Sequence, residues 1–453
     1  MRWGYLAALV LAFPVPSSFA GPPALPSTSS TVGRAATFVS GWTAAQYATQ
    51  LRTRQIVWDN SPGSGQGGTG SAYAPTGAIS SFYSAVTRVP VNAHTHSTAR
   101  IISACGVQTG GGCTLAWFQA NHPTWIIYKH DQLTPAYEFS DTTWIPLDIS
   151  NPDVQAWIEA NYYAPILATG IYNGISVDNV SDQNTWDEEY TCSIAPVTGC
   201  TADGGTATHK YTGSVSGDAT FVANRVSWLQ AITTYAHANS AVSIGNIFYD
   251  PNDQTDTASL IGAVDIWYDE QGFNGDAATA TCQAGGGSTY QFWGTYWTGK
   301  VAFINGLNSG AGWPMVQEAA LCPLASPNRA VVQYAMASYY LTNMGHTWVA
   351  PYSVTAGDYS DQSPKAVWPE LYKSLGTAID APPTSGDSNG IWSRKFSGGI
   401  AIVNPSSTLS EPFTLSGNYH NLDGTPYSGT ITLPPVTGMT LLSGSSPGVV
   451  IAH

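Results

Sequence analysis

The chain has 453 residues, more than one ordinary domain needs and enough for a barrel with an accessory module. Charged residues make up 10% of it, against about 25% in an average soluble protein, and the formal net charge is −14. That balance disfavours nucleic acid, which wants clustered Lys and Arg, and argues against strongly acidic polymers as ligands. Aromatic residues reach 12%, with Gly, Ser, Thr and Asn filling the surface role. Such a surface suits a sugar ligand, whose rings stack on aromatic faces and whose hydroxyls meet neutral hydrogen-bonders.

Residues 1–20 read as a secretory signal peptide. Arg2 precedes an apolar run from Tyr5 to Val15, and Ser18-Phe19-Ala20 supplies a small-x-small cleavage site near Ala20. No later stretch approaches the roughly 20 apolar residues of a membrane span, so export to the periplasm or medium without a membrane anchor is expected. Residues 21–45 open with a Pro/Ser/Thr-rich stretch and read as a linker.

From 46 to 383, strand-like apolar runs recur at 55–59, 100–105, 124–131, 174–179, 241–248, 263–270, 300–305 and 345–350. Helical segments lie between them. One opens with Asn151 as N-cap and Pro152 at the first helical position, and 219–239 and 327–344 carry apolar residues at helical spacing. Eight strands alternating with helices predict an α/β fold, a (β/α)8 TIM barrel. No Gly-rich phosphate loop follows any strand, and no cofactor is expected.

The composition changes after Pro382-Pro383. Short strands at 391–396, 399–403, 411–415, 430–433 and 439–442 alternate with turn signals such as Asn404-Pro405 and Asp423-Gly424. Residues 384–453 therefore read as a small C-terminal antiparallel β-sandwich.

Six cysteines in an exported chain favour disulfides over metal sites. Fifteen pairings are open; the local ones, Cys105–Cys113, Cys192–Cys200 and Cys282–Cys322, are the natural expectation and would brace loops on the barrel mouth.

Two segments carry the chemistry: Gly174-Ile-Ser-Val-Asp178 and Val264-Asp-Ile-Trp-Tyr-Asp269-Glu270. Each is an apolar run ending on a carboxylate. Strand-end acids in a parallel barrel converge on one mouth, and cleaving a glycosidic bond needs two of them. One donates a proton to the leaving oxygen, and the other attacks the anomeric carbon or activates a water. A period of two puts Ile175 and Val177 toward the helices and Asp178 into the mouth. In the second segment Tyr268 and Glu270 share one face and Trp267 and Asp269 the other. Either face could point inward, so Asp269 competes with Glu270.

Other strand-end groups expected to bind substrate are Asp59, Lys129, His130, Asp131, Asn246 and Asn305, with Asp269 if Glu270 is the acid. Trp144, Trp186, Trp293, Trp297, Trp313 and Trp348 lie near or after strand ends, and some could stack on sugar rings, Trp348 among them. His94-Thr-His96 has the form of a barrel metal pair, but it follows Pro90 in a loop. His209, His237 and His346 fall at no suitable strand end, so no metal is expected.

The segments Trp144-Ile-Pro-Leu-Asp-Ile-Ser-Asn-Pro-Asp-Val-Gln-Ala-Trp157, Gly170-Ile-Tyr-Asn-Gly-Ile-Ser-Val-Asp178-Asn and Val264-Asp-Ile-Trp-Tyr-Asp-Glu270-Gln-Gly-Phe resemble those of hypothetical glycosyl hydrolase family 15. More distantly they resemble endo-α-1,4-polygalactosaminidase-like barrels. The helix leading into His346-Thr-Trp and the tail segments 396–405 and 433–442 are similar to the same group. The resemblance implies a barrel glycosidase with an aspartate after strand four and a glutamate after strand six, five residues beyond Asp265, which selects Glu270. By analogy with the α-galactosidase-like clan it implies Asp178 as nucleophile and Glu270 as acid/base. The expected function is a secreted glycoside hydrolase acting on a polysaccharide or oligosaccharide. A non-catalytic carbohydrate-binding barrel is the alternative.

Overall fold

The computed structural model describes residues 21–39, 54–59, 78–85, 88–90, 115–128, 135, 144–168, 170–182, 190–191, 208–209, 218–274, 292–320, 329–352 and 369–444. Eight parallel strands close into a barrel: β1 Gly33–Val39, β2 Ile56–Asp59, β3 Ile79–Ala85, β4 Gly174–Val180, β5 Val242–Ile247, β6 Ile266–Asp269, β7 Met315–Ala320 and β8 Thr347–Tyr352. Each pairs with the next in chain order, and β8 returns to β1.

The expected count of eight holds, with three members exchanged. Gly33–Val39, inside the stretch read as a linker, is the first barrel strand. Ile79–Ala85 and Met315–Ala320 are further strands that the apolar pattern does not reveal. Their sequences are rich in Ala, Ser, Gln and Glu, so they carry few of the Val and Ile that mark a strand. Of the expected strands, 100–105 lies outside the described residues. The 124–131 segment instead starts in a 3-10 turn, Pro123–Trp125, followed by single bridges at Ile126 and Tyr128. The 300–305 segment lies within a helix, Gly294–Gly306, which buries Trp297, Val301 and Ile304 at helical spacing. The exchanges cancel, so Asp178 still lies near the end of strand four and Glu270 still follows strand six.

Five helices used below are α1 Pro152–Ile158, α2 Ala219–Ala238, α3 Gln254–Ile261, α4 Gly294–Gly306 and α5 Arg329–Thr342. The Asn151 side chain accepts the Asp153 N–H at 2.9 Å with Pro152 behind it, the cap expected from the sequence. Inside the barrel, Ala35, Ile56, Trp58, Val242, Ile244, Ile266, Tyr268, Val316 and Trp348 form one buried cluster. Ile175, Val177, Trp267, Met315 and Val349 point the other way, into the layer between sheet and helices.

The C-terminal sandwich has strands β9 Trp392–Phe396, β10 Gly399–Asn404, β11 Glu411–Thr414, β12 Tyr419–Asn421, β13 Pro426–Tyr427, β14 Thr430–Leu433 and β15 Thr437–Ser443. A five-stranded antiparallel sheet, β9-β10-β15-β12-β13, faces the pair β11-β14. Ile400 and Ile402 enter the sandwich core, while Ala401 and Val403 on the other face of β10 join the barrel's outer core. Trp297 of α4 meets Trp392 edge-on at 5.3 Å. Strand β15 comes so close to α5 that a Cβ on Gly438 would stand 2.6 Å from the Tyr334 Cα.

Two arginines fasten this junction. Arg329 on α5 pairs with Glu370 at 2.8 Å and with Asp423 of the sandwich. Arg394 on β9 is buried and donates to the carbonyls of Tyr340 (3.0 Å), Asn343 (2.7 Å) and Asp380 (3.0 Å). Two of these are carbonyls at the end of α5, which a helix terminus leaves unpaired. Burial lowers the Arg394 guanidinium to about 10, so it stays charged at neutral pH. Arg394→Ala strands these acceptors and should destabilise the protein by about 3 kcal/mol, read as a lowered midpoint in chemical denaturation.

Candidate active site

Strands β4, β5 and β6 are consecutive around the barrel and carry three polar groups toward its mouth. Asp178 near the end of β4 is half-buried, on the same face as Ser176, which bonds Ser81 inside the wall. Asn246 near the end of β5 is buried. Glu270 follows β6 directly and shares the face of Ile266 and Tyr268, both in the barrel interior.

The Asn246 amide joins the two acids. Its Nδ2 donates to Asp178 Oδ1 at 2.8 Å and to Glu270 Oε2 at 2.6 Å. An amide nitrogen carries two hydrogens, so both bonds form at once. The separation of the two carboxylate oxygens is then at most about 5.4 Å, the sum of 2.8 and 2.6 Å. Two hydrogens about 120° apart on one nitrogen bring it to roughly 4.7 Å.

Asp269 faces the opposite way and lies completely buried against α4. Its carboxylate meets the Lys300 ammonium at 2.9 Å, and Lys300 is itself fully buried. Burial pushes the Asp269 carboxyl up and the Lys300 amine down, and each charge opposes that effect on the other. The acid left open beside Glu270 in the sequence is therefore the partner of a lysine in the helix layer, away from the mouth.

One ring of groups below the pair was not anticipated. Glu318 on β7 points inward and accepts the Tyr268 hydroxyl at 2.7 Å, and Trp58 packs edge-on against Tyr268 at 5.3 Å. Glu318 is buried. The signal for it is the two-residue spacing of Val316 and Glu318 after Pro314, hidden when the seventh strand is sought at 300–305.

Several expected binding residues lie elsewhere. Asp59 ends β2 on the outward face beside Val57 and accepts the Tyr172 hydroxyl at 2.8 Å in the helix layer. Asn305 belongs to α4 and donates to the Pro383 carbonyl at 3.0 Å. Trp348 is fully buried among the barrel-interior residues and presents no face to a sugar. Trp297 is likewise core, while Trp293 and Trp313 are partly exposed. Lys129, His130, Asp131, Trp186, all six cysteines, His94 and His96 lie outside the described residues. His237 pairs with Asp265 at 2.9 Å, an outward-facing contact at the start of β6. Among the described residues, no group of three or more His, Cys, Asp or Glu is placed to hold a metal, and no helix is long and apolar enough to cross a membrane.

Beyond the mouth, Asp182 lies buried in the loop after β4, with the Thr257 hydroxyl donating to its Oδ2 at 3.4 Å. Burial first, then the neighbouring Asp250, Asp253 and Asp256, push its carboxyl up to about 7, against a backbone hydrogen bond that lowers it. Between about pH 4 and 7 the folded chain holds this proton and the unfolded chain does not, so stability from this group falls as pH rises. Asp182→Asn removes the dependence. Its melting temperature should gain on wild type steadily from pH 4 to 7 and by a constant amount above, measured by calorimetry across that range.

No family model and no curated protein matches the chain. Among solved structures it is similar to a cycloisomaltooligosaccharide glucanotransferase from Paenibacillus sp., at 12% identity and a TM-score of 0.37, over 91% of this chain and 55% of that one. It is similar to a GH27 β-L-arabinopyranosidase from Geobacillus stearothermophilus, at 9% identity and a TM-score of 0.44, over 94% and 97% of the two chains. A GH31 dextranase from Flavobacterium johnsoniae is similar at 10% identity and a TM-score of 0.45, over 93% and 52%. The chain thus spans about half the length of the first and third and nearly all of the second.

Proposed function

We propose that this chain is a secreted glycoside hydrolase that cleaves O-glycosidic bonds of a polysaccharide with Asp178 and Glu270. The observation that carries the reading is the Asn246 amide held between the two carboxylates at 2.8 and 2.6 Å. Retaining glycosidases set their two carboxyls about 5–5.5 Å apart, whereas inverting ones leave about 6.5–9.5 Å for a water. A limit of about 5.4 Å, the sum of the two bonds, leaves no room for that water between the acids and favours a double displacement.

Glu270, protonated at the start, gives its proton to the leaving glycosidic oxygen. Asp178 attacks the anomeric carbon as that bond breaks, forming a glycosyl ester. Glu270, now a carboxylate, takes a proton from an incoming water, whose oxygen attacks the same carbon and releases Asp178. The order of roles follows the sequence resemblance; the proximity of the groups supports the pair. Removal of the first 20 residues on export would leave a mature enzyme beginning near Gly21.

The test is digestion of a polysaccharide panel by the purified mature protein, read by mass of the released oligosaccharides, beside Asp178→Asn and Glu270→Gln. Wild type should release products, and each variant should lose at least about 10³-fold in rate. Full activity in either variant would contradict the assignment. Glycan binding without cleavage by wild type would make the protein a carbohydrate-binding barrel instead. On the cleaved substrate, proton NMR of the first-formed reducing sugar should show the anomeric configuration retained, and an inverted product would contradict the double displacement.

A further inference from the structure

We infer that Lys300 is a positioning residue for Glu270, clamping both ends of the turn that carries it; the inference deepens the glycosidase reading above and rests on it for its meaning. The Gly272 N–H donates to the Asp269 carbonyl at 3.2 Å, so Asp269–Gly272 is a four-residue turn with Glu270 at its first corner. The Lys300 ammonium reaches the two outer residues of that turn. It lies 2.9 Å from both Asp269 carboxylate oxygens and donates to the Gly272 carbonyl at 2.6 Å. Its bonds thus bracket Glu270 in sequence without touching it.

The remaining geometry points the same way. Lys300 comes from α4, the next helix among the described residues after this turn, and is wholly buried. The rings of Tyr249, Phe273 and Phe292 stand 5.5, 5.6 and 5.5 Å from its Nζ and wall in the ammonium. Gly272 has a φ of +48°, and a Cβ there would stand 1.9 Å from the Glu318 carbonyl oxygen. The turn therefore lies directly on the backbone of β7. Gln271 accepts the Tyr296 hydroxyl at 3.3 Å, again from α4. Every residue of the turn is held: Asp269 and Gly272 by Lys300, Gln271 by Tyr296, Glu270 by Asn246.

A lysine that merely filled the space between helix and sheet would need one counter-charge. The second short bond, to the far end of the turn, has a different consequence. It sets the backbone from which a three-torsion Glu side chain must reach Asn246 and the leaving oxygen. A shift of about 1 Å at such a carboxyl costs on the order of 10²-fold in rate.

Lys300→Met alone leaves a buried carboxylate without its partner and can fail to fold, so the deciding variant is Asp269→Asn/Lys300→Met, which removes both charges together. Its crystal structure and its kinetics are compared with wild type. We expect a folded protein in which Glu270 has moved beyond about 4 Å from Asn246 Nδ2. We also expect kcat on the natural glycan to fall about 10²-fold with KM within about twofold. On the 2,4-dinitrophenyl glycoside of the same sugar, whose leaving group needs no proton, kcat/KM, which reports the first step alone, should fall less than about fivefold, while kcat still falls because Glu270 must activate the water of the second step. Glu270 still bonded to Asn246 in the variant, or equal losses of kcat/KM on both substrates, would overturn the clamp. If wild type cleaves no glycan, the hydrolase reading fails, and the position of Glu270 in the variant still decides the structural claim.

Discussion

A single amide nitrogen fixes the distance between the two carboxylates of the barrel mouth, and the surrounding architecture is what makes that contact possible. Two unit charges about 5 Å apart repel by about 3 kcal/mol at an effective dielectric near 20. They stay together when a donor lies between them or one carries a proton. Asn246 supplies the donor, because β5 runs between β4 and β6 and brings its side chain to the same layer. Barrel closure decides which strands are neighbours, and the two-residue period decides which side chains reach the mouth.

The same period separates two acids that stand next to each other in the chain. Glu270 points with Tyr268 into the barrel, and Asp269 points with Trp267 into the helix layer. One carboxyl is partly exposed beside Asn246 and the other is bound to Lys300 in a buried, aromatic setting. This division of labour is typical of how the chain uses charge. With only 15 Lys and Arg in 453 residues, it places three of them at joints between elements, Lys300 and Arg394 buried and Arg329 partly exposed. Lys300 ties a strand, a turn and a helix; Arg394 ties β9 to the end of α5; Arg329 ties α5 to Glu370 and to the sandwich residue Asp423. Burying Lys300 and Arg394 is tolerable because each has several acceptors.

Much of this was legible in the sequence where local pattern and tertiary role agree. Strands around Ile175, Ile244 and Ile266, the Asn151-Pro152 helix start, the barrel class and the C-terminal sandwich all follow from period and turn chemistry. Asp178, Asn246 and Glu270 stand at strand ends, and the structure brings them together. Legibility failed where the barrel wall is built from small or polar residues, as at Ala35, Ser81 and Gln317, which do not look like strand. It failed again at Lys300–Asn305, where a short apolar run fits either period and only the packing of Trp297, Val301 and Ile304 selects the helix. Asp59 and Trp348 show a third kind of failure. Position near a strand end does not say which face a side chain takes or how deep it sits.

The measurement that tests the central claim most directly is peptide mapping by mass spectrometry after incubation with 2-deoxy-2-fluoro glycosides carrying good leaving groups, matched to the sugar that the protein cleaves. The account expects a glycosyl ester on Asp178, stable enough to isolate and absent from Asp178→Asn. An ester on any other carboxylate, or hydrolysis of the parent substrate with inversion and no trapped intermediate, would contradict it.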